Sequence, residues 1–586
     1  MSARIIGNSS LTSGALDVII IGSGAGGGPV AYLCAKSGLK VLVIEAGANH
    51  FANLDDPNQQ PVPEHANDEL KFQVRSFIDI DERIDPRAWR TAPSDGDRLS
   101  VGDVNGLPKH VGGGMVHADV KMPRFEAQDF MMATLLGQKV QNANFADWPI
   151  AYTDLEPFYA YAEVQLGIQG LKGANPFEPT RSTDYPMPPG VPMYLSTVMK
   201  GALASSGYTA FPYPTAVNSQ PYDGRPACAD CGYCSDYGCP TNAKGSAAVT
   251  MLRKALLTNN CVLLAETRVT KLVMNGAKDT VTAVECIDPD GNVVQYSAAR
   301  YVLAASPIED ARLLLLSDLG GTGIGNSSDM VGRNLMFHLQ TSCVGIFNDR
   351  MHGHRGRTVD HGFADFRGVA ASYDPNDPST ALGGIVEISG SERPINEAQY
   401  YAQIMRLLLK FDGGLFKKMM RQSPFRDRIV VLTMQAEDAP QATNRVDLDP
   451  AVVDFFGTPA PRITYSNHPY ELAASDYRGK MMVDVTDASN KGAIFKNAGA
   501  RWAAVTPRDT IPASAHVMGT LRFGNDPTQS VCDKTGKLHD IQNLYCSDGA
   551  LFPTSSGYNP TMTICALACW VGANMVSPGN PTQALA

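Results

Sequence analysis

With 586 residues, 44% of them hydrophobic and 18% charged, the chain has the make-up of a packed globule, long enough for two or more domains around a cleft. Its net charge of -10, with no local run of Lys and Arg, excludes nucleic acid as a natural partner and repels anionic headgroups. No apolar stretch reaches the roughly 18 residues that a spanning helix needs: DVIIIGSGAGGGPVAYLCA is interrupted by glycines and TICALACWVGANM is too short. The opening MSARIIGNSSLTSG lacks the basic and apolar stretches of a secretory signal. The expectation is a soluble chain, cytoplasmic by sequence, or periplasmic or membrane-associated if exported with a partner subunit.

LDVIIIGSGAGGGPVAYLCAKSGLKVLVIEAG predicts a strand over 17–21, a glycine turn, a helix over 29–37 and a strand over 41–44. Gly22, Gly24 and Gly27 give G-x-G-x-x-G between strand and helix. That pattern permits a tight turn, close backbone approach to a pyrophosphate and close helix-strand packing, with the helix N-terminus facing the phosphates. Glu45 closes the second strand where a carboxylate binds an adenosine ribose, and Ala46 and Gly47 after it favour FAD over a nicotinamide.

Further along, CADCGYCSDYGCP places Cys228, Cys231, Cys234 and Cys239 as C-x2-C-x2-C-x4-C-P, near the ferredoxin-type run. Thiolates this close can surround a cluster. Structural zinc more often draws separated pairs, and the other eight cysteines are scattered in apolar segments, as buried free thiols are. His352 and His354 in MHGHRGR have no neighbouring acid or thiol and read as a solvated loop. EAQYYAQIMRLLLKFDGGLFKKMMRQ, residues 397–422, sets Ile404, Leu407, Leu408, Phe411, Leu415, Phe416 and Met419 at near-helical spacing beside Lys410, Lys417, Lys418 and Arg421. It reads as a helix with one buried face; docking of a subunit or a membrane surface is the alternative.

SAHVMGTLRFGNDPTQSVCDKTGKLHDIQNLYCSDGALFPTSSGYNPTMTICALA, residues 514–568, resembles the C-terminal signature of the glucose-methanol-choline (GMC) oxidoreductases. KHVGGGMVHADV resembles the second glycine stretch of that family, DWPIAYTDLEPFYAYAE its entry into the substrate domain, and YVLAASPIEDARLLLLS its last core strand and helix. NSQPYDGRPAC and NSSDMVGRNLM are similar to segments of the large FAD subunits of bacterial glucose, gluconate and fructose dehydrogenases. The resemblance implies an α/β fold, α+β overall: a Rossmann-like FAD domain from residues 1–145, 226–340 and 505–586, and a substrate domain with an antiparallel sheet from 146–225 and 341–504.

The resemblance also implies chemistry. A flavin oxidises an alcohol when a base takes the hydroxyl proton and an uncharged group orients the oxygen; His516 in HVMGT matches the base and Asn559 in GYNPT the second member. Gly112, Gly113, Asp548, Gly549 and Pro560 fall at FAD-contacting positions. His117 falls where some relatives attach FAD covalently and many carry a histidine without the bond. In the sugar dehydrogenases three cysteines hold a [3Fe-4S] cluster; order and spacing select Cys228, Cys234 and Cys239, with Cys231 as an extra candidate. Electrons would then pass to a cytochrome subunit, with a small subunit as a further partner. Two other readings stay open: a cluster-free enzyme using oxygen or a quinone, and a redox-silent member that keeps FAD as scaffold. Relatives often read Asp-His-Pro where this chain has Phe337, His338 and Leu339, and Gly or Asn in place of Ser306; these departures concern the substrate pocket.

Overall fold

The computed structural model describes residues 4–64, 83–102, 104–105, 107–232, 234–235, 237–353, 355–390, 405–406, 409–422, 427–483, 494–508 and 514–586. His354, Ile404, Leu407 and Leu408 lie outside the described residues.

Past Asp17, the apolar run Val18–Ile21 has no polar side to offer water, so the strand Leu16–Ile21 is covered on both faces, as central strands of parallel sheets are. It pairs in parallel with Val41–Ile44 on one side and Ala298–Leu303 on the other. Cys261–Leu264 extends the sheet beyond Val41–Ile44, and Ile5–Gly7 closes that edge antiparallel. The first helix runs Gly27–Lys36, two residues earlier than predicted at its start, and packs on this sheet beside the long C-terminal helix Thr561–Val576. The strand Ala298–Leu303 was expected to be the last of the core. Instead Leu544–Cys546 adds in parallel outside it; three residues carry too little periodicity to be read as a strand. The parallel sheet therefore draws its strands from the start, middle and end of the chain.

A second six-stranded sheet, antiparallel throughout, contains Leu339–Phe347, Val359–Phe363, Val386–Ser389, Ile429–Ala436 and Ala500–Val505, with Phe211–Pro212 at one edge. Successive side chains point to opposite faces of a strand, and here the period of two sorts them sharply. Leu339, Cys343, Val386, Ile388, Leu432 and Met434 join one apolar cluster with Leu195, Met199 and Met482 of neighbouring helices. Gln340, Ser342, Glu387, Thr433 and Gln435 fall on the alternate positions, in register across the strands.

The amphipathic segment departs from expectation. Its described helix starts only at Gly413 and runs to Gln422, and none of its residues is buried. A buried face was predicted from the spacing alone; Leu415 is 48% exposed.

Candidate active site

Gly22 follows the strand Leu16–Ile21 with φ +102°, and a Cβ there would lie 2.2 Å from the carbonyl oxygen of Ala304, just past the adjacent strand Ala298–Leu303. At Gly27 a Cβ would lie 2.0 Å from the oxygen of Gly22 itself. Both glycines are thus demanded by packing. Gly24 differs: a Cβ there would stand 3.6 Å from Gly113 Cα, an ordinary contact. The second glycine stretch, with Gly112 and Gly113 at positive φ, is laid against the first and tied to it through Ser23, whose hydroxyl oxygen accepts from Gly112 N at 3.0 Å.

Glu45 is buried and accepts from Ser23 Oγ at 2.6 Å, Ser23 N at 3.1 Å and Gly47 N at 3.0 Å. Burial raises its pKa. Three of the roughly four acceptor positions of a carboxylate are used, which leaves room for one more donor.

These residues open onto one cavity of about 490 Å³. Gly22, Gly24, Glu45, Gly113, His117, His516, Asp548, Gly549 and Pro560 all line it; Gly27, Gly112, Asn559 and the four loop cysteines are not part of its lining. The first turn of the helix Thr561–Val576 also faces it, through Thr561 and Ile564. Sequence reasoning missed a charged stretch of the wall formed by Arg87, Lys109, Arg268, Arg312 and Glu309, where Arg87 Nη2 meets Glu309 at 3.0 Å. These come from four separate segments and no local motif marks them.

Asp548 caps the short turn Gly549–Leu551, accepting from Ala550 N at 2.9 Å, and takes Ser306 N at 2.8 Å. Ser306 itself sits at φ +88°, a conformation that favours glycine, and the bond to Asp548 helps to hold it there. Beside Asp548 lies Asp310, another residue the sequence gave no reason to select; burial and the neighbouring carboxyl push its pKa well up. Burial raises Asp548 as well, as expected of two carboxyls set close together in a dry interior.

His117 is held by His110: His110 Nδ1 faces the carbonyl oxygen of Val111 at 3.2 Å and its Nε2 faces His117 Nδ1 at 3.1 Å. A carbonyl only accepts, so Nδ1 of a neutral His110 carries its proton and His117 Nδ1 donates. His117 then keeps a lone pair on Nε2.

His516 also lines the cavity, with its Nδ1 2.9 Å from Nδ1 of His338. Burial, His338 and Lys121 hold its pKa well below the usual histidine value, and burial lowers His338 to about 3. Both rings are neutral near pH 7, and one must donate to the other. Asn559 is buried; its Oδ1 accepts from Tyr213 OH at 2.5 Å and its Nδ2 donates to Glu387 Oε1 at 3.0 Å. His338, Tyr213 and Glu387 were not selected from sequence because they lie more than a hundred residues from the residues they touch.

No disulfide joins any of the twelve cysteines, and the eight outside the loop are buried, as expected. Within the loop Cys234 is buried, Cys228 and Cys239 are half-buried and Cys231 is exposed. Burial pushes Cys234 up to about 12, with Lys244 acting against it and the Cys228 and Cys239 thiols adding to it; burial likewise pushes Cys228 to about 11. Lys244 fastens the loop to the cavity wall: Nζ donates to the carbonyls of Ala118 at 2.7 Å, Cys234 at 2.8 Å and Tyr237 at 2.9 Å. His352 packs edge-on against Tyr194, ring centroids 6.2 Å apart.

Among the described residues no helix is long and apolar enough to cross a membrane. Comparison with known proteins accords with the geometry. The chain is 27% identical to the fructose dehydrogenase large subunit of Gluconobacter japonicus, over 94% of this chain and 96% of that one. It is 28% identical to 2-methyl-1,2-propanediol dehydrogenase of Mycolicibacterium austroafricanum, over 95% and 94%. Among solved structures, a formate oxidase of Aspergillus oryzae superposes with a TM-score of 0.62 at 13% identity, covering 96% of this chain and 98% of that one; the fold is shared. Residues 196–340 and 440–568 match two family models, both described as GMC oxidoreductase, and the chain belongs to the GMC oxidoreductase family.

Proposed function

We propose that the chain is an FAD-dependent enzyme that oxidises a CH-OH group of a sugar, polyol or other alcohol, with His516 as the base and Asn559 as the group that orients the hydroxyl. The observation that carries this reading is that His516, uncharged in its burial, lines the same cavity as the Gly22 turn and Glu45. FAD, when bound, supplies the hydride acceptor.

The chain's own residues fit that group. The backbone at Gly22 and Gly24, ahead of the helix Gly27–Lys36, suits a pyrophosphate, and Glu45 has one acceptor position left for a ribose hydroxyl. The N-terminus of Thr561–Val576 carries partial positive charge toward the cavity. For His516 to act as base, Nδ1 must donate to His338, which leaves the lone pair on Nε2 for the alcohol proton. His338, with its pKa pushed down to about 3, accepts that bond without competing for the proton.

For electron exit, the reading is that Cys228, Cys234 and Cys239 hold a [3Fe-4S] cluster that feeds a cytochrome subunit, with a small subunit as additional partner. The burial of Cys234 and half-burial of Cys228 and Cys239, against the exposure of Cys231, support that choice of ligands. The test is an anaerobic titration of the purified protein with D-fructose, D-gluconate and 2-methyl-1,2-propanediol, followed by visible and low-temperature EPR spectra with iron and sulfide analysis. Bleaching of the flavin by an alcohol is expected; a flavin that none of them bleaches overturns the assignment. Hydrogen peroxide release from an iron-free enzyme would replace the cluster with direct transfer to oxygen.

A further inference from the structure

Glu387 lies within the strand Val386–Ser389 on the polar face of the antiparallel sheet, and 2% of its surface is exposed. Its Oε1 accepts from Asn559 Nδ2 at 3.0 Å and from Gln435 Nε2 at 3.1 Å, and its Oε2 accepts from Lys121 Nζ at 2.6 Å. Lys121 also reaches Asp119 at 3.0 Å. At the far end of the carboxamide, Tyr213 OH donates to Asn559 Oδ1.

This arrangement decides which way the amide faces. A carboxylate only accepts, so the atom of Asn559 turned toward Glu387 is its NH2 group. Turned over, the amide would set its oxygen against a carboxylate oxygen in a dry interior, losing one hydrogen bond and gaining a repulsion. One hydrogen of Nδ2 is therefore directed at Glu387, and the second has no partner among the described residues.

We propose that Glu387, anchored by Lys121 and Gln435, is a positioning residue that fixes Asn559 as a hydrogen-bond donor. The second amide hydrogen of Nδ2 is presented to the hydroxyl oxygen of the substrate, and Tyr213 locks the opposite end. The inference rests on the reading of Asn559 as the orienting member of the reacting pair. Toward the substrate it makes that residue a donor, never an acceptor, and so assigns the proton of the alcohol to His516 alone.

Glu387→Gln conserves size but changes the code. Lys121 captures the new amide oxygen, the new NH2 turns toward Asn559, and the Asn559 carboxamide turns over, moving its donor by about 2 Å. Removing or misplacing one preorganised donor costs on the order of 10²-fold. The test is the limiting rate of flavin reduction, measured anaerobically by stopped flow with whichever alcohol of the panel above is fastest. E387Q is expected to lower that rate by about 10- to 100-fold with FAD content unchanged, and N559A to lower it by at least as much. The decisive reading is the double variant. If Glu387 acts through Asn559, E387Q/N559A is no slower than N559A, because coupled residues are non-additive. A further drop equal to that of E387Q alone, or an E387Q as fast as the parent, overturns the proposal. If N559A reduces normally, or if no alcohol of the panel reduces the unmodified protein, the parent reading falls and this inference with it. Should E387Q fail to fold, Y213F removes the opposite lock and goes through the same cycle under the same criteria.

Discussion

Gly22 and Gly24 belong to one motif, yet the structure assigns them different physical tasks, and Gly22→Ala against Gly24→Ala separates them. At Gly22 the new methyl meets two obstacles. The backbone stands at φ +102°, which costs an L-residue about 1–2 kcal/mol. In addition, its Cβ would lie 2.2 Å from the backbone oxygen of Ala304, just past the neighbouring strand. Relief means moving Leu16–Ile21 and Ala298–Leu303 apart by about 1 Å in a close-packed sheet, with a cost of a further ~2–3 kcal/mol. Gly22→Ala should thus destabilise the FAD-free protein by about 3–5 kcal/mol, in the range kept for buried backbone overlap. Gly24→Ala has neither obstacle: its Cβ finds Gly113 at 3.6 Å, and the FAD-free protein should melt within about 1 kcal/mol of the parent. What Gly24→Ala should lose is bound flavin, because the methyl narrows the cavity where the phosphates would approach the backbone. Urea unfolding of FAD-free protein, paired with flavin content after gel filtration, reads both quantities. Equal destabilisation by the two substitutions would refute the division, as would a Gly24→Ala protein that retains its full flavin.

Replacing His516 with Ala should leave FAD bound while its reduction by alcohol slows by about 10²-fold or more, the usual worth of a general base; stopped-flow reduction checks this. The depressed pKa of His516 keeps the base unprotonated well below pH 6.5. kcat/KM should accordingly hold its plateau down through pH 6 and fall only as pH drops through the folded value; a descending limb centred near 6.5 would contradict it. Glu437, raised by burial to about 7, well above the ordinary carboxylate range, takes up its proton more readily folded than unfolded. The folded state therefore loses stability as pH rises from about 5 to 8. Glu437→Gln should shrink that loss by roughly 1–3 kcal/mol, measured by urea melts at both pH values, and an unchanged pH slope would exclude Glu437 as its source. Cys234→Ser should abolish iron and labile sulfide and slow reduction of a cytochrome acceptor while alcohol still bleaches the flavin; retained iron would remove Cys234 from the ligand set.

What could be read from the chain and what could not follows from the range of the interactions involved. The βαβ unit was legible because its determinants are local: an apolar run, three glycines at fixed offsets and a closing acid lie within thirty residues, and the observed helix Gly27–Lys36 begins two residues from its predicted start. His516 and Asn559 were legible only through the likeness of their surroundings to a family, since a histidine in a loop has no periodicity to betray it. Of their partners, Tyr213 and Glu387 were not legible at all, and His338 stood out only inside a departure from the family pattern, not as a partner of His516. His338 reaches His516 across 178 positions of sequence and Tyr213 reaches Asn559 across 346. Glu387 stands in VEIS, where an acid inside an apolar strand reads locally as a misfit. In the sheet, however, that misfit lies in register with Thr433 and beside Gln435 and Gln340, so the strands together present a polar face that no single strand announces. A buried acid in a strand is tolerated only if other elements bring donors to it. Lys121, Gln435 and Asn559 do so here, which makes Glu387 a point where the fold of the sheet and the orientation of the reacting amide are fixed by the same three hydrogen bonds.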